Sequence, residues 1–195
     1  MLNLPIENGL RLALFDKADV QSLYQLMQDN YEHLSPWRRW VDMLNSPSRV
    51  EYFIKQNRRD YAYFTDKMRS KKEGKASGFQ MGLYLNGRII GVVGYQGVHM
   101  INRICSLGYW IAKDWEGQGY IRKACKRVVD HTFTEYDFNR IEIQCTVDNI
   151  RSQSIPEALG FTREARLAES EYKNGVFLDH YLYRLLRRDW ERQES

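Results

Sequence analysis

Residues 107–124 (LGYWIAKDWEGQGYIRKA) constrain the fold of this chain most, because they join a strand pattern to a helix pattern through a glycine-rich turn. Residues 107–111 alternate as in a strand, and from Ile121 onward apolar residues recur at helical spacing. The turn itself is Glu-Gly-Gln-Gly at 116–119. Glycines let backbone N–H groups approach a phosphate closely, and a helix N-terminus adds unpaired donors and a positive dipole end. The stretch predicts an anion site, with an ordinary loop as the alternative.

Two common phosphate-binding motifs do not fit this turn. A dinucleotide fingerprint needs a third glycine, but this chain has Arg122 three residues after Gly119. A Walker loop needs Gly-Lys followed by Ser or Thr, and the chain contains no such run.

Length and composition predict one ordinary globular domain spanning residues 1–195. The chain is 43% apolar and 28% charged, with a net charge of +4, which suits an anionic ligand or a ribosome-associated partner without deciding between them. No apolar run reaches membrane length, and the first residues lack the pattern of a signal peptide. The three cysteines have no metal-type or disulfide-type spacing. We expect a cytoplasmic protein with no metal, no membrane contact and no direct nucleic-acid contact.

The first half of the chain predicts mostly helices. Leu10–Leu14 alternates as an opening strand, and a helix after Asp16 places Val20, Leu23, Tyr24, Met27 and Tyr31 on one side. Ser35-Pro36 predicts the start of a short helix, and Ser48-x-x-Glu51 resembles a capping box that opens a longer one. Residues 67–77 are rich in charge, Gly and Ser and predict a solvated loop.

The second half predicts strands around one long helix. Residues 79–85 and 88–97 flank Asn86-Gly87, a strong hairpin signal, and 104–111 adds a third antiparallel strand. A helix over 120–135 and a strand over 140–147 follow. Asn149 and Ser152 suit a helix start with Pro156 in an early turn, and Gly160 ends that helix. A final strand pair turns at 173–175.

Residues 116–121 resemble the acyl-CoA loop of the GNAT N-acetyltransferase superfamily, Gln/Arg-x-x-Gly-x-Gly/Ala. Gly119 matches the central glycine, whereas Glu116 and Ile121 depart from the pattern. Residues 149–161 resemble the superfamily signature Asn-x-x-Ser…Gly-Phe. Further runs are similar to the ribosomal-protein serine/alanine N-acetyltransferase branch, namely Leu34-Ser35-Pro36-Trp37, Gly91-Val92-Val93-Gly94, Gly108-Tyr109-Trp110-Ile111 and Tyr181-Leu182-Tyr183.

The resemblance implies a single α/β GNAT domain, with helices flanking a mixed central sheet. That sheet would combine an antiparallel meander with a splayed parallel pair. Acetyl-CoA would be the cosubstrate, its pantetheine arm beside Tyr109, Trp110 and Ile111 in the gap between the splayed strands. Asn149 would orient the cofactor. The pyrophosphate would contact the loop formed by Glu116, Gly117, Gln118, Gly119, Tyr120, Ile121 and Arg122.

Acetyl transfer needs a neutral amine, and an α-amine with a pKa of about 7.7–8.0 loses its proton more easily than a lysine at about 10.4. The resemblance assigns protonation of the leaving thiolate to Ser152 and the general base to Glu171. A capping role for Ser152 and an ordinary surface position for Glu171 are the alternatives. Trp37, Trp40 and Tyr95 are candidate walls of the acceptor pocket, although aromatic residues at helical spacing more often belong to the core.

Cys145 ranks lower as an acyl carrier, because a strand cysteine is usually a small apolar residue. The four histidines, His33, His99, His131 and His180, show no metal-binding spacing.

We therefore expect an N-acetyltransferase that acts on the N-terminal α-amine of a protein such as a ribosomal protein. A polyamine or drug acetyltransferase and a non-catalytic CoA- or ribosome-binding module are the alternatives. The resemblance leaves room for a homodimer.

Overall fold

The computed structural model describes residues 2–37, 39–70 and 75–194 and shows one mixed sheet with helices on both faces. The strands are β1 (Asn3–Glu7), β2 (Leu10–Ala13), β3 (Lys75–Ala76), β4 (Gln80–Leu85), β5 (Arg88–His99), β6 (Ile104–Ile111), β7 (Arg140–Thr146), β8 (Thr162–Lys173) and β9 (Val176–Leu186). The helices are α1 (Val20–Asp29), α2 (Tyr31–Leu34), α3 (Pro47–Ser70), α4 (Tyr120–Glu135), α5 (Ile150–Ala158) and α6 (Arg187–Glu194).

The strand order is β1-β2-β4-β5-β6-β7-β9-β8, with β3 paired to β5. Only β6 and β7 run parallel among the described pairs, since helix α4 connects them and returns the chain to the same end of the sheet. The larger core lies between the sheet and α4, and includes Leu107, Cys125, Val128 and Ile143. A second cluster lies on the opposite face under α1 and α3 and includes Trp110. The predicted mixed sheet, with its meander and its parallel pair, is confirmed.

The hairpin and the helix after the glycine turn lie where the sequence places them. Asn86 and Gly87 have φ values of 49° and 83°, as a two-residue hairpin turn requires. Helix α4 runs over the predicted residues 120–135. The final hairpin turns at Asn174-Gly175, with φ values of 48° and 85°.

The N-terminal expectations need correction. Residues 10–13 form the second strand, and β1 precedes them through an Asn8-Gly9 turn. Pro5 is tolerated in β1 because this strand lies at the edge of the sheet. Tyr31 does not join the buried side of α1: it is 43% exposed, and its hydroxyl donates to Asp42 at 2.7 Å.

Both predicted helix starts in this region are wrong. Ser35 ends α2, and the next helical segment is a 3-10 turn over Arg39–Leu44. Helix α3 begins at Pro47, where the Ser46 hydroxyl accepts the Arg49 N–H at 3.4 Å. Glu51 instead forms an ion pair with Lys55 one helical turn later, at 2.8 Å.

The predicted loop at 67–77 is also largely wrong. Helix α3 continues to Ser70, and Lys75–Ala76 form β3, while residues 71–74 lie outside the described part of the chain. Helix α6 was not predicted. It is fixed by Trp190, whose ring nitrogen donates to Asp130 at 3.0 Å and whose ring packs against Phe133.

No helix among the described residues has the length and apolarity that crossing a bilayer requires.

Candidate active site

The glycine turn that the sequence predicts before α4 is present in the structure. Gly117 and Gly119 have φ values of 74° and 77°, and Gly119 is the residue at which α4 begins. No side chain caps this helix end, and the Lys123 N–H is the first to bond back, to the Gly119 carbonyl at 3.1 Å. Among the described residues, only the Arg122 side chain would come within 4 Å of a Cβ at Gly119. The N–H groups of the first helical turn are therefore left without a side-chain cap.

The two departures from the family pattern are accommodated by their surroundings. The Glu116 carboxylate contacts Arg151 of α5 at 2.5 Å and His33 of α2 at 3.2 Å. Ile121 is buried in the larger core, so its side chain points away from the turn. Neither side chain caps the start of α4.

Strands β6 and β7 pair over four residues and then separate. The register runs from Ile104 opposite Arg140 to Leu107 opposite Ile143 and stops there, although β6 continues to Ile111. A bulge at Gln96 in the neighbouring strand β5 adds one unpaired residue opposite this point. Its amide lies over Gly108, where a Cβ would come within 2.0 Å of the Gln96 nitrogen. The second half of β6 thus borders a gap instead of a strand.

A hydrogen bond from Tyr109 crosses this gap to helix α5. In an α-helix the carbonyl of Ser152 would accept the N–H of residue 156, but residue 156 is proline and has none. The buried Tyr109 hydroxyl donates to that carbonyl at 2.6 Å. Burial raises the pKa of this phenol well above its ordinary value, so it remains protonated. Pro156 lies late in α5, not in the early turn that we expected, and this position leaves the Ser152 carbonyl for Tyr109.

Ser152 lies in the first turn of α5 with its hydroxyl toward the gap. It is 3.4 Å from the Tyr109 hydroxyl, to which it donates, and 3.3 Å from the Cys145 sulfur. The Ser152 N–H donates to the Asn149 side chain at 3.1 Å, so Asn149 is the cap of this helix. The Ser152 hydroxyl takes no part in capping, and its partners are the Tyr109 hydroxyl and the Cys145 sulfur.

On the face of the sheet that carries α1 and α3, the second half of β6 forms part of a cavity of ≈ 630 Å³. Its wall is mostly apolar and includes Met27, Phe53, Phe79, Val92 and Trp110. Among the described lining residues, Asp60 is the one carboxylate and Arg49 the one cation. The Gln56 amide donates to Asp60 at 3.1 Å, which orients the carboxylate on α3.

The three aromatic residues predicted for this cavity have different positions. Tyr95 lines it but belongs mainly to the core, where its hydroxyl is 2.7 Å from that of Thr132 and its ring stacks on Phe64. Trp37 is half-buried and lies outside the lining set. The side chain of Trp40 is outside the described part of the chain.

Glu171 also lies outside the cavity lining, on β8. Its carboxylate contacts His180 of β9 at 3.2 Å. His180 in turn reaches Thr146, the last residue of β7, at 3.3 Å. Sequence reasoning placed Glu171 correctly on a late strand but missed its pairing with His180.

Asp60 and Gln96 were missed as well. Asp60 and Gln56 share one face of α3 at a spacing of four, but this pattern also describes any solvated helix. Gln96 lies in the Gly-Tyr-Gln-Gly run at 94–97, whose glycine content is the one signal that a bulge leaves in the sequence.

Within the described residues there is no group of three or more His, Cys, Asp or Glu side chains arranged to hold a metal ion.

Comparison with known proteins agrees with this geometry. Residues 10–162 match the model of the acetyltransferase (GNAT) domain. The chain belongs to the GNAT acetyltransferase family. It is an acetyltransferase by that membership, as the resemblance implies.

Two curated relatives extend over most of the chain. YdaF of Bacillus subtilis (strain 168), provisionally named a ribosomal N-acetyltransferase, is 30% identical over 98% of both chains. The ribosomal-protein-serine acetyltransferase of Escherichia coli (strain K12) is 25% identical over 91% of this chain and 93% of its own. Among solved structures, RimL, the ribosomal L7/L12 alpha-N-protein acetyltransferase in complex with coenzyme A, superposes with a TM-score of 0.84 at 23% identity, covering 97% and 99% of the two chains. The similarity to the ribosomal-protein branch is confirmed.

The bond across the gap predicts a coupling between Tyr109 and Pro156. Tyr109→Phe should lower the free energy of unfolding by about 1–2 kcal/mol, because it leaves the Ser152 carbonyl without a donor. Pro156→Ala restores an N–H at that position, so the same tyrosine substitution should then cost about 1 kcal/mol less. Urea unfolding of the four variants measures this, with Tyr172→Phe on the exposed hairpin as control. Equal costs in both backgrounds would contradict the assignment.

Proposed function

We propose that this protein transfers the acetyl group of acetyl-CoA to an N-terminal α-amine, with a ribosomal protein in the cytoplasm as the acceptor. The proposal rests on the strand β6, which connects three features. Its second half borders the gap, forms part of the cavity, and leads directly into the turn before α4.

The backbone donors of the turn fit a pyrophosphate, because no side chain caps the start of α4 and the two glycines bring no side-chain atoms to the turn. The gap beyond Leu107 fits a narrow pantetheine arm, and main-chain groups on the side of β6 that no strand pairs would bond to it. RimL, which shares the fold, is described in complex with coenzyme A. These observations support acetyl-CoA as the cosubstrate.

The cavity supports an amine as the acceptor. A cationic N-terminus entering an apolar cavity favours a nearby anion, and Asp60 supplies one. The names of the two curated relatives, with ribosomal acceptors, support a protein N-terminus over a small amine.

An acceptor panel tests the proposal directly. We expect peptides with N-terminal Ser or Ala to release free CoA from acetyl-CoA faster than spermidine or an N-terminally blocked lysine peptide. At pH 7 about a tenth of an α-amine is neutral, against under a thousandth of a lysine side chain. Faster turnover with spermidine or lysine would refute the acceptor assignment, and binding of acetyl-CoA without turnover would indicate a non-catalytic module.

Acetyl-CoA binding should depend on the Gly119 backbone. Gly119→Asn and Gly119→Asp bear the same strain at φ 77°, but only Asp adds a negative charge beside the pyrophosphate. We expect calorimetry to show at least tenfold weaker binding for Asp than for Asn. Gln118→Ala should change the affinity for acetyl-CoA little, because the proposed donors are backbone N–H groups and the Gln118 amide donates to the Asp114 carbonyl. Gly175→Asp, at φ 85° in a distant turn, is the matched control; equal affinity of both Gly119 variants would refute the loop assignment.

Ser152→Ala tests protonation of the leaving thiolate. If the Ser152 hydroxyl donates that proton, kcat should fall by about 10²–10⁴-fold while acetyl-CoA affinity is retained. Stability should change little because Asn149 caps the helix. Ser154→Ala, on the exposed side of the same helix, is the control. An unchanged kcat in Ser152→Ala would exclude this role.

Asp60→Asn should weaken the acceptor and leave acetyl-CoA unaffected. Removing one partly exposed charge should raise KM for an N-terminal Ser peptide about threefold to tenfold. Asp66→Asn makes the same change on the exposed side of α3, outside the cavity. Equal KM values for the two variants in steady-state kinetics would show that Asp60 does not bind the acceptor.

A further inference from the structure

The hairpin β8–β9 carries an irregularity that groups three polar side chains. Leu167 pairs with His180 and Glu171 pairs with Leu178, so residues 168–170 face Asp179 alone. Glu169 has a φ of 49°, and its N–H donates to the Asp179 carboxylate at 2.8 Å. That bond and the Arg166 guanidinium lower the pKa of Asp179, which remains an anion and holds the bulge.

The bulge brings Ser170 and Glu171 to opposite sides of the His180 ring. The Ser170 hydroxyl is 2.9 Å from Nδ1, and the Glu171 carboxylate is 3.2 Å from Nε2. The imidazole is mostly buried, with 12% of its side chain exposed. If Nε2–H donates to the carboxylate, Nδ1 is left as an acceptor for the serine hydroxyl.

The sheet register places this group on the same face as the cavity. Leu107 and Ile143 are partners and both lie in the core under α4. Because side chains alternate, Gly108 and Trp110 of β6 and Thr146 of β7 face the other side. Thr146 pairs with His180 and contacts its Nε2 at 3.3 Å, so His180 reaches the strand that borders the gap.

We propose that His180, held by Glu171, accepts the proton of the acceptor ammonium through the Ser170 hydroxyl. This inference rests on the proposed function and changes the role of Glu171 from general base to positioning residue. The ammonium N–H bond breaks, the serine hydroxyl passes a proton to Nδ1, and the amine keeps its electron pair for attack on the acetyl carbonyl. The imidazolium that forms is paired with the Glu171 carboxylate and later releases its proton to solvent.

Basicity favours the imidazole over a lone carboxylate. Glutamate ordinarily titrates near a pKa of about 4.3 and histidine near about 6.5, whereas an α-ammonium lies near about 8. Proton transfer to an imidazole is therefore about two pKa units less uphill than transfer to a carboxylate. The Glu171 carboxylate and the Ser170 hydroxyl contact the ring from β8, while Asp179, the preceding residue on β9, is paired with Arg166.

The pH dependence of kcat for an N-terminal Ser peptide, with both substrates saturating, tests the proposal. The wild type should reach a plateau above about pH 7, the range in which an imidazole titrates. His180→Gln should lose this plateau, so that its rate continues to rise toward the pKa of the amine, and should be at least tenfold slower at pH 7. Glu171→Gln should keep the plateau at a lower rate, because the ring loses the carboxylate that orients it. His99→Gln is the matched control.

Nitrogen NMR shifts of the His180 ring give a readout independent of activity. They should indicate the Nε2–H tautomer in the wild type and change in Glu171→Gln, and identical shifts in both proteins would overturn the pairing. Normal acetylation with the same pH profile in wild type and His180→Gln would overturn this inference and leave the proposed function intact. Failure of the wild type to acetylate any amine would overturn the proposed function itself, and this inference with it. An acetylated Ser170 in intact-protein mass spectrometry would also overturn it, by making that serine a nucleophile.

Discussion

The bond from the Tyr109 hydroxyl to the Ser152 carbonyl holds the site together. Beyond Leu107 no backbone hydrogen bond joins β6 to β7, so the gap needs another connection. Pro156 makes this connection possible: it has no N–H, so the Ser152 carbonyl lacks the helical donor that it would otherwise have. The phenol fills the vacant position because burial keeps it neutral, and a neutral phenol both donates and accepts. The absence of the Pro156 N–H thus lets Tyr109 connect the edge of β6 to α5, the helix that carries Ser152.

The separation of β6 from β7 also determines where the other parts of the site lie. Parallel strands joined by a helix share an end of the sheet, so the turn before α4 and the start of α5 follow the same edge. The cavity and the gap therefore both border the second half of β6, and the glycine turn follows soon after the strand ends. His180 of β9 and Glu171 of β8 lie beyond β7, across the gap from β6.

The sequence predicts the features that depend on local geometry and misses those that depend on distant contacts. Asn86-Gly87 identifies a hairpin and Gly119 a helix start, because positive φ angles and helical spacing are properties of a few adjacent residues. Ser152 and Asn149 are assigned from a motif, yet which of them caps α5 depends on side-chain direction. Asp60 and His180 carry no local signal, since the cavity and the bulged hairpin form only when residues far apart in the chain meet. The capping box at Ser48 fails because Ser46, two residues earlier, competes for the same role.

The two departures from the family loop weigh less against phosphate binding than the sequence alone suggests. A glutamate beside a pyrophosphate would repel it. The Glu116 carboxylate, however, is paired with Arg151 and contacts His33, and the positive charge of Arg151 reduces its field toward the turn. Arg151 is 80% exposed, so solvent screens that pair and its own contribution to stability is small. Ile121 adds a side chain where the pattern has Gly or Ala, yet the chain buries it in the core and not in the turn. Both substitutions leave the N–H groups in place, and a cradle built from backbone donors requires only that these remain free and oriented.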